Sequence, residues 1–365
     1  MEKGKIRVGI THGDINGVGY EVILKIFSEP GMLDLCQPII YGSPKIASFH
    51  RKALELTTNF LTIERAEDAV EGKVNLVTCM EDEVKIEFGK PTKESGHAAL
   101  LALERSILDY RSGLIDVLVT APINKYTIQS NEFHFPGHTE YIQTCVGDGA
   151  EALMILMNDS LRVALVTTHL PVRKIADAIT QEVVLQKLQI FDRALKRDFG
   201  ISNPRIAVLA LNPHAGDHGL LGSEETEVIQ PAMELASQKG IYCFGPFPAD
   251  GFFGSGAFAD YDGVLAMYHD QGLAPFKALS MSNGVNYTAG LPLVRTSPDH
   301  GTAYDIAGKG LADEASMRQA IFTAIDVYRN RLRFDEAYAR PLRKQYYEKR
   351  DDSDTLNLTA ADENE

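Results

Sequence analysis

Tryptophan is absent from the 365 residues, and Lys and Arg (36) are outnumbered by Asp and Glu (50), for a net charge of −14. That shortage of positive charge argues against a nucleic-acid-binding surface or an anionic-membrane partner. An anionic ligand would have to find a local basic pocket. No run approaches the ~18 apolar residues of a membrane span, and the start, MEKGKIRVGITHGD, holds no apolar stretch of signal-peptide length. Cysteine is scarce too. Cys36, Cys79, Cys145 and Cys243 are far apart and form no CxxC pair. This excludes a disulfide scaffold or a zinc ribbon and fits reduced thiols in the cytoplasm.

Nucleotide fingerprints are also missing. There is no P-loop, and GDINGVG has the wrong glycine spacing for a Rossmann turn. GSGAFA (Gly254 to Ala259) matches G-x-G-x-x-A, but it follows PFPADGFF rather than a buried strand, so it reads as a chance match. No fixed-period repeat and no Pro/Gly/Ser-rich linker divide the chain.

What is present is alternation. IRVGIT, PIIYG, KVNLVT, IDVLVTAP, RVALVTTH, RIAVLALNPH and GVLAMYH read as strands. Between them lie amphipathic stretches such as ESGHAALLALERSILDYRSG and VVLQKLQIFDRALKRDFG, the second closing on Gly200 as a helix C-cap. Apolar strands alternating with helices predict a largely parallel sheet covered on both faces. The length predicts two lobes with a chain that crosses between them more than once. The expected division is residues 1–130 with about 300–345 in a first α/β lobe, and about 131–299 in a second that carries most of the site. The end, DDSDTLNLTAADENE (351–365), has six acids and no base and reads as a disordered tail.

Ligands of open parallel sheets bind beyond the carboxyl ends of the strands. His12, His169, His214 and His269 all stand there, as does Lys125. Three imidazoles from separate strands could share a divalent metal and leave positions for substrate oxygens. Each could equally cap its strand by hydrogen bonding. Lys277, Asn286 and Arg295 follow at nine-residue intervals and suit a phosphate or carboxylate, or else a solvated face. In PGHTEYIQ, His138 and Thr139 open a helical pattern, which suits an anion site, although Thr139 could simply be an N-cap.

Five blocks now stand together: PGHTEYIQ, TTHLPV, LNPHAGDHGLLGSEE, LAMYHDQGLAPFK and VNYTAGLPLVRTSPDHGTAYDIAGKG. In this order they resemble the 4-hydroxythreonine-4-phosphate dehydrogenase family of vitamin B6 (pyridoxine) biosynthesis, over about residues 5 to 335. HGTAYDIAGKG is also similar to the nucleotide segment of isocitrate and isopropylmalate dehydrogenases. The resemblance implies a two-lobed α/β/α fold of that type, which binds NAD or NADP without a Rossmann fingerprint. It implies His169, His214 and His269 as ligands of zinc, magnesium or cobalt. It implies His138, Thr139, Lys277, Asn286 and Arg295 as substrate contacts, and His300, Gly301, Thr302, Ala303 and Asp305 as cofactor contacts. The active site would lie at a homodimer interface.

The implied oxidoreductase chemistry takes hydride from 4-phosphohydroxy-L-threonine. The resulting β-keto acid loses CO₂ to give 3-amino-2-oxopropyl phosphate. Asp250 and Asp270 are candidates either for taking the hydroxyl proton or for orienting a ligand imidazole. The pattern breaks at His12, in GDINGVGYE where GDPAGIGPE is usual, and in PADG, which puts Gly251 where a hydroxyl is expected. These departures leave room for a paralogue oxidising erythronate or threonate 4-phosphate. A metal-dependent hydrolase of phosphorylated metabolites is the competing reading from another class, and a pure binding protein a third.

Overall fold

The computed structural model describes residues 4–80, 84–130, 133–280 and 282–339. The acidic tail and the end of the first expected lobe (340–345) lie outside the described residues.

All seven expected strands form, and five more join them. The strands are β1 (Arg7–Thr11), β2 (Gln37–Gly42), β3 (Leu61–Ile63), β4 (Asn75–Thr78), β5 (Val117–Thr120), β6 (Leu153–Met157), β7 (Arg162–Leu165), β8 (Arg205–Leu209), β9 (Tyr242–Phe247), β10 (Gly263–Ala266), β11 (Val285–Ala289) and β12 (Val294–Pro298). They make one sheet in the order β3-β4-β2-β1-β5-β12-β11-β6-β7-β10-β8-β9. The pairings β12–β11, β11–β6 and β6–β7 are antiparallel, and the flanking pairings are parallel. The expected parallel sheet therefore holds on both wings and fails at the centre.

Burial follows from composition. β5 and β10 are buried at every residue, as Val/Leu/Ala strands covered on both faces must be. The helix Lys93–Arg111 starts at Thr92, whose side chain accepts from the Ser95 N–H while Ser95 answers the Thr92 backbone. Its small residues Ala98, Ala99 and Ala102 let it lie close to the sheet. The helix Gln181–Arg197 ends just ahead of Gly200, which takes φ +72° to turn the chain out.

The centre of the sheet is braced from the side. Arg331, on the helix Ala315–Ala339, donates to Asp198 Oδ1 at 2.7 Å and to the Tyr287 hydroxyl of β11 at 2.9 Å. Tyr287 donates in turn to Asp198 Oδ2 at 2.5 Å. A buried guanidinium, carboxylate and phenol thus satisfy one another and hold β11 in register. Among the described residues no helix is long and apolar enough to cross a membrane.

Candidate active site

The hairpin of β11 and β12 places Thr288 directly opposite Arg295 and Asn286 opposite Ser297. Alternation along each strand then puts all four on one face. Arg295 is 3% exposed, and its Nε and Nη2 donate to Thr120 Oγ1 at the end of β5, at 3.1 and 2.6 Å. Nη1 donates to Thr288 Oγ1 at 3.3 Å, and Nη2 lies 3.3 Å from His138 Nδ1. Every one of these partners is neutral. Burial draws the Arg295 pKa down to about 10, which still leaves it charged at neutral pH.

His138 opens the helix His138–Val146, whose N-cap is Gly137, so Thr139 sits in the first turn and is not the cap. Burial, with Arg295 and Lys125 nearby, holds the His138 pKa well below its usual value. The neutral ring accepts from Arg295 at Nδ1, which leaves its proton on Nε2. A cavity of about 210 Å³ gathers His138, Thr139, Asn286 and Arg295 with Lys125, Glu140, His169, His300 and Gly301. Lys277 stands apart from it. Its ammonium donates to Asp299 O at 3.1 Å and lies 3.2 Å from Asp299 Oδ1. Four of the five expected substrate contacts therefore share one cavity.

Two of the three expected metal ligands are neighbours. The His169 and His269 rings lie 6.1 Å apart. Asp270 Oδ1 sits 2.7 Å from His269 Nδ1, which fixes the proton there and leaves Nε2 as the lone-pair nitrogen. Glu140 Oε1 lies 3.5 Å from His169 Nδ1, and the Lys125 ammonium stands 3.1 Å from His169 Nε2. A cation already rests on the lone pair that a metal would take, so the donor set at these two rings suits a divalent ion. His214 lies elsewhere, in a cavity of about 530 Å³ with Asn212, Asp250, Tyr268 and Gln271. Among the described residues no three His, Cys, Asp or Glu side chains of one chain could hold a metal.

The loop carrying His214 is unusual. His214, Ala215, Gly216, Asp217 and His218 all have positive φ, a left-handed turn that costs about 1–2 kcal/mol for each non-glycine residue. Glu225 holds its entrance, accepting from the Asn212 N–H at 2.7 Å and from Nδ2 at 3.0 Å.

The expected cofactor segment packs on the glycine-rich loop after β1. Val18 N–H donates to Thr302 O at 3.1 Å, and a Cβ on Gly17 would lie 2.7 Å from that same oxygen. Tyr304 donates to Asp14 Oδ2 at 2.8 Å, and Glu21 Oε1 accepts from Ala312 N–H at 2.9 Å. A second cavity, about 230 Å³, is lined by Val18, Asp299, His300, Ala303, Ile306 and Ser316 among others. Gly301 belongs to the first cavity, and Asp305 is exposed. His12 follows β1 directly but is fully buried against Tyr20 and reaches neither cavity.

Thr120, Lys125 and Glu140 also line the first cavity and were absent from the expected set. Lys125 had a sequence signal, as a base just past the end of β5. Thr120 and Glu140 had none beyond adjacency to a strand end and to His138–Thr139.

The family model described as "Pyridoxal phosphate biosynthetic protein PdxA" matches residues 34–324. The chain belongs to that family. It is 67% identical over 363 residues to a 4-hydroxythreonine-4-phosphate dehydrogenase of Bacteroides thetaiotaomicron, covering 100% of both chains. The crystal structure of a 4-hydroxythreonine-4-phosphate dehydrogenase from Klebsiella pneumoniae superposes with a TM-score of 0.77 at 32% identity, covering 90% of this chain and 99% of that one. A relative from Oceanobacillus iheyensis, provisionally named a D-threonate 4-phosphate dehydrogenase, is 39% identical over 324 residues, 88% of this chain and 97% of its own. The α/β dehydrogenase fold expected of this PdxA-family chain is the one it has.

Proposed function

We propose that this chain oxidises the secondary hydroxyl of 4-phosphohydroxy-L-threonine with NAD or NADP and a divalent metal, yielding a β-keto acid that decarboxylates to 3-amino-2-oxopropyl phosphate. The observation that carries this reading is Arg295: a buried guanidinium on a cavity wall, with only neutral hydrogen-bond partners. A buried charge needs a counter-charge: the Glu140 carboxylate acts on Arg295 without a hydrogen bond, and the phosphate of the substrate would bond the guanidinium directly. His138 Nε2–H, Thr139 and Asn286 add donors around the same anion, and Lys277 approaches from the Asp299 side. Anchoring the phosphate orients the reacting carbon next to His169.

His169 and His269 hold the metal (zinc, magnesium or cobalt) together with His214 of a second copy, because His214 of the same chain lies in another cavity. When bound, the metal acidifies the hydroxyl and stabilises the charge that develops on its oxygen. Asp270 orients His269, and Asp250 accompanies His214. The segment His300, Gly301, Thr302, Ala303 and Asp305 forms the cofactor side, and the nicotinamide accepts the hydride. A homodimer also accounts for the exposed Tyr126, Leu170, Val172 and Leu220, which sit on the loops after β5, β7 and β8.

The test is reduced-nicotinamide formation from 4-phosphohydroxy-L-threonine, abolished by a chelator and restored by a divalent metal. Metal-replete protein that forms none would overturn the reading. The same assay with erythronate and threonate 4-phosphates addresses the second reading, which Gly251 favours: nothing lies within 4 Å of the Cβ it lacks, so the Asp250 side is open. A metal-dependent hydrolase finds no support, since the relatives compared are named dehydrogenases.

A further inference from the structure

His300 lines both cavities, the one with Arg295 and His169 and the one with Val18 and Ala303. It therefore stands at the boundary where a substrate held by Arg295 and a cofactor held by the 300–305 segment would meet. Its ring is tethered: Nδ1 lies 2.9 Å from Gly301 O. A carbonyl only accepts, so Nδ1 carries the proton and Nε2 carries the lone pair. That Nε2 is buried without a hydrogen-bond partner. An orphaned buried acceptor is destabilising unless a donor arrives to meet it.

We propose that His300 Nε2 accepts the hydroxyl proton during the oxidation. The inference rests on the dehydrogenase reading above and adds the proton acceptor to it. In the step, the carbinol C–H bond breaks and its electron pair leaves as hydride for the oxidised nicotinamide. The O–H bond breaks as its proton passes to Nε2, and its electrons form the second C–O bond of the ketone. The imidazolium that results returns its proton to water after the ketone has formed. The other candidates are engaged elsewhere. The Asp270 carboxylate is held by His269 on an exposed edge. Asp250 of the same chain opens on the cavity of His214, which His300 does not line, and a second copy's Asp250 would arrive with its His214 on the metal side. Lys125, as an ammonium, has no lone pair while it donates to His169.

The test compares wild type with His300→Ala and His300→Gln, each loaded with metal and checked for an unchanged thermal unfolding transition. Loss of a proton acceptor lowers kcat by about 10²–10⁴-fold, well beyond any accompanying change in affinity for reduced nicotinamide, with KM for the phosphorylated acid within about threefold of wild type. Free imidazole restores part of the kcat of His300→Ala and none of that of His300→Gln, whose side chain fills the space. A kcat within about fivefold of wild type in the variant that folds overturns the proposal. So does a kcat loss that imidazole does not touch and that tracks lost cofactor affinity, since His300 would then serve the cofactor alone. If wild type itself forms no reduced nicotinamide from any phosphorylated acid of the panel, the dehydrogenase reading fails and the proposal falls with it, a result distinct from the variant outcomes.

Discussion

His12 and Tyr20 stack face to face, their ring centroids 4.9 Å apart and their planes 9° from parallel. Both occupy positions where the chain departs from the usual family pattern, and the structure makes them partners. Tyr20 also lies 5.1 Å from the ring of His50, and its hydroxyl accepts from the Ser43 N–H at 3.0 Å. Burial draws both imidazoles down from the ordinary 6.5 to about 4, so each is neutral in the folded protein. Between those two values the unfolded chain binds protons that the folded chain refuses. Stability is therefore complete above the unfolded value and declines as pH falls towards about 4, by about 1.4 kcal/mol per pH unit for each group. Melting temperatures across that range should fall more steeply for wild type than for His12→Phe, which keeps the stack. Parallel curves for the two proteins would remove His12 as a cause.

Arg295→Ala should raise KM for the phosphorylated substrate by about 10–100-fold, the worth of a charge-assisted contact, without altering metal content. Arg295→Lys should recover little, because one ammonium cannot span both Thr120 and Thr288 as the guanidinium does. Lys277 is half-exposed and already paired with Asp299, so Lys277→Ala should act in the same direction but less. Metal lost from either variant, read by elemental analysis, would mean that these side chains belong to the metal pole instead.

Removing Asp270 should free the His269 ring. Metal affinity of Asp270→Ala, measured by competition with a chromophoric chelator, should drop about 10–100-fold. Unchanged affinity would leave the 2.7 Å contact without a role in ligation.

Gly17→Ala drives a methyl into Thr302 O, where only 2.7 Å is available. The displaced 300–305 segment should raise KM for the nicotinamide cofactor and leave KM for the phosphorylated acid near wild type. Equal changes in both constants would contradict the separation of the two cavities.

Mixing chains tests the shared site. His169→Ala and His214→Ala should each be inactive alone. If one copy supplies His169 and its partner His214, random re-association gives mixed dimers with one intact site, and about a quarter of wild-type activity returns. No recovery, with mixed dimers demonstrated by mass, would place all ligands in one chain.

Much of this was legible in the residues. The parallel wings were visible because Val/Ile-rich runs alternate with helical periods. The central strands β6, β11 and β12 were not, since their antiparallel pairing is decided by which neighbours they meet and leaves no period of its own. Strand ends located His169 and His269 beside each other, but the same rule applied to His12, which turns inward onto Tyr20. A strand end says where the chain leaves the sheet and not which way the side chain goes. Asn286 and Arg295 read as members of a nine-residue interval. The structure relates them through the β11–β12 hairpin, which the interval did not reveal, and it leaves Lys277, the third member, outside the cavity.

The β11–β12 hairpin sits mid-sheet, with parallel wings on either side and Arg331 locked behind Tyr287. Arg295, Thr288 and Asn286 therefore ride on strands braced on both sides, while His214 and His300 stand outside the sheet and Asp250 lies in the short helix Ala249–Gly254. With Arg295 as the phosphate anchor, one end of the substrate would be read by a fixed ruler and the other by adjustable parts. Such a chain could exchange one phosphorylated acid for another by editing peripheral segments such as PADG alone, without disturbing the mark from which the reacting carbon is measured.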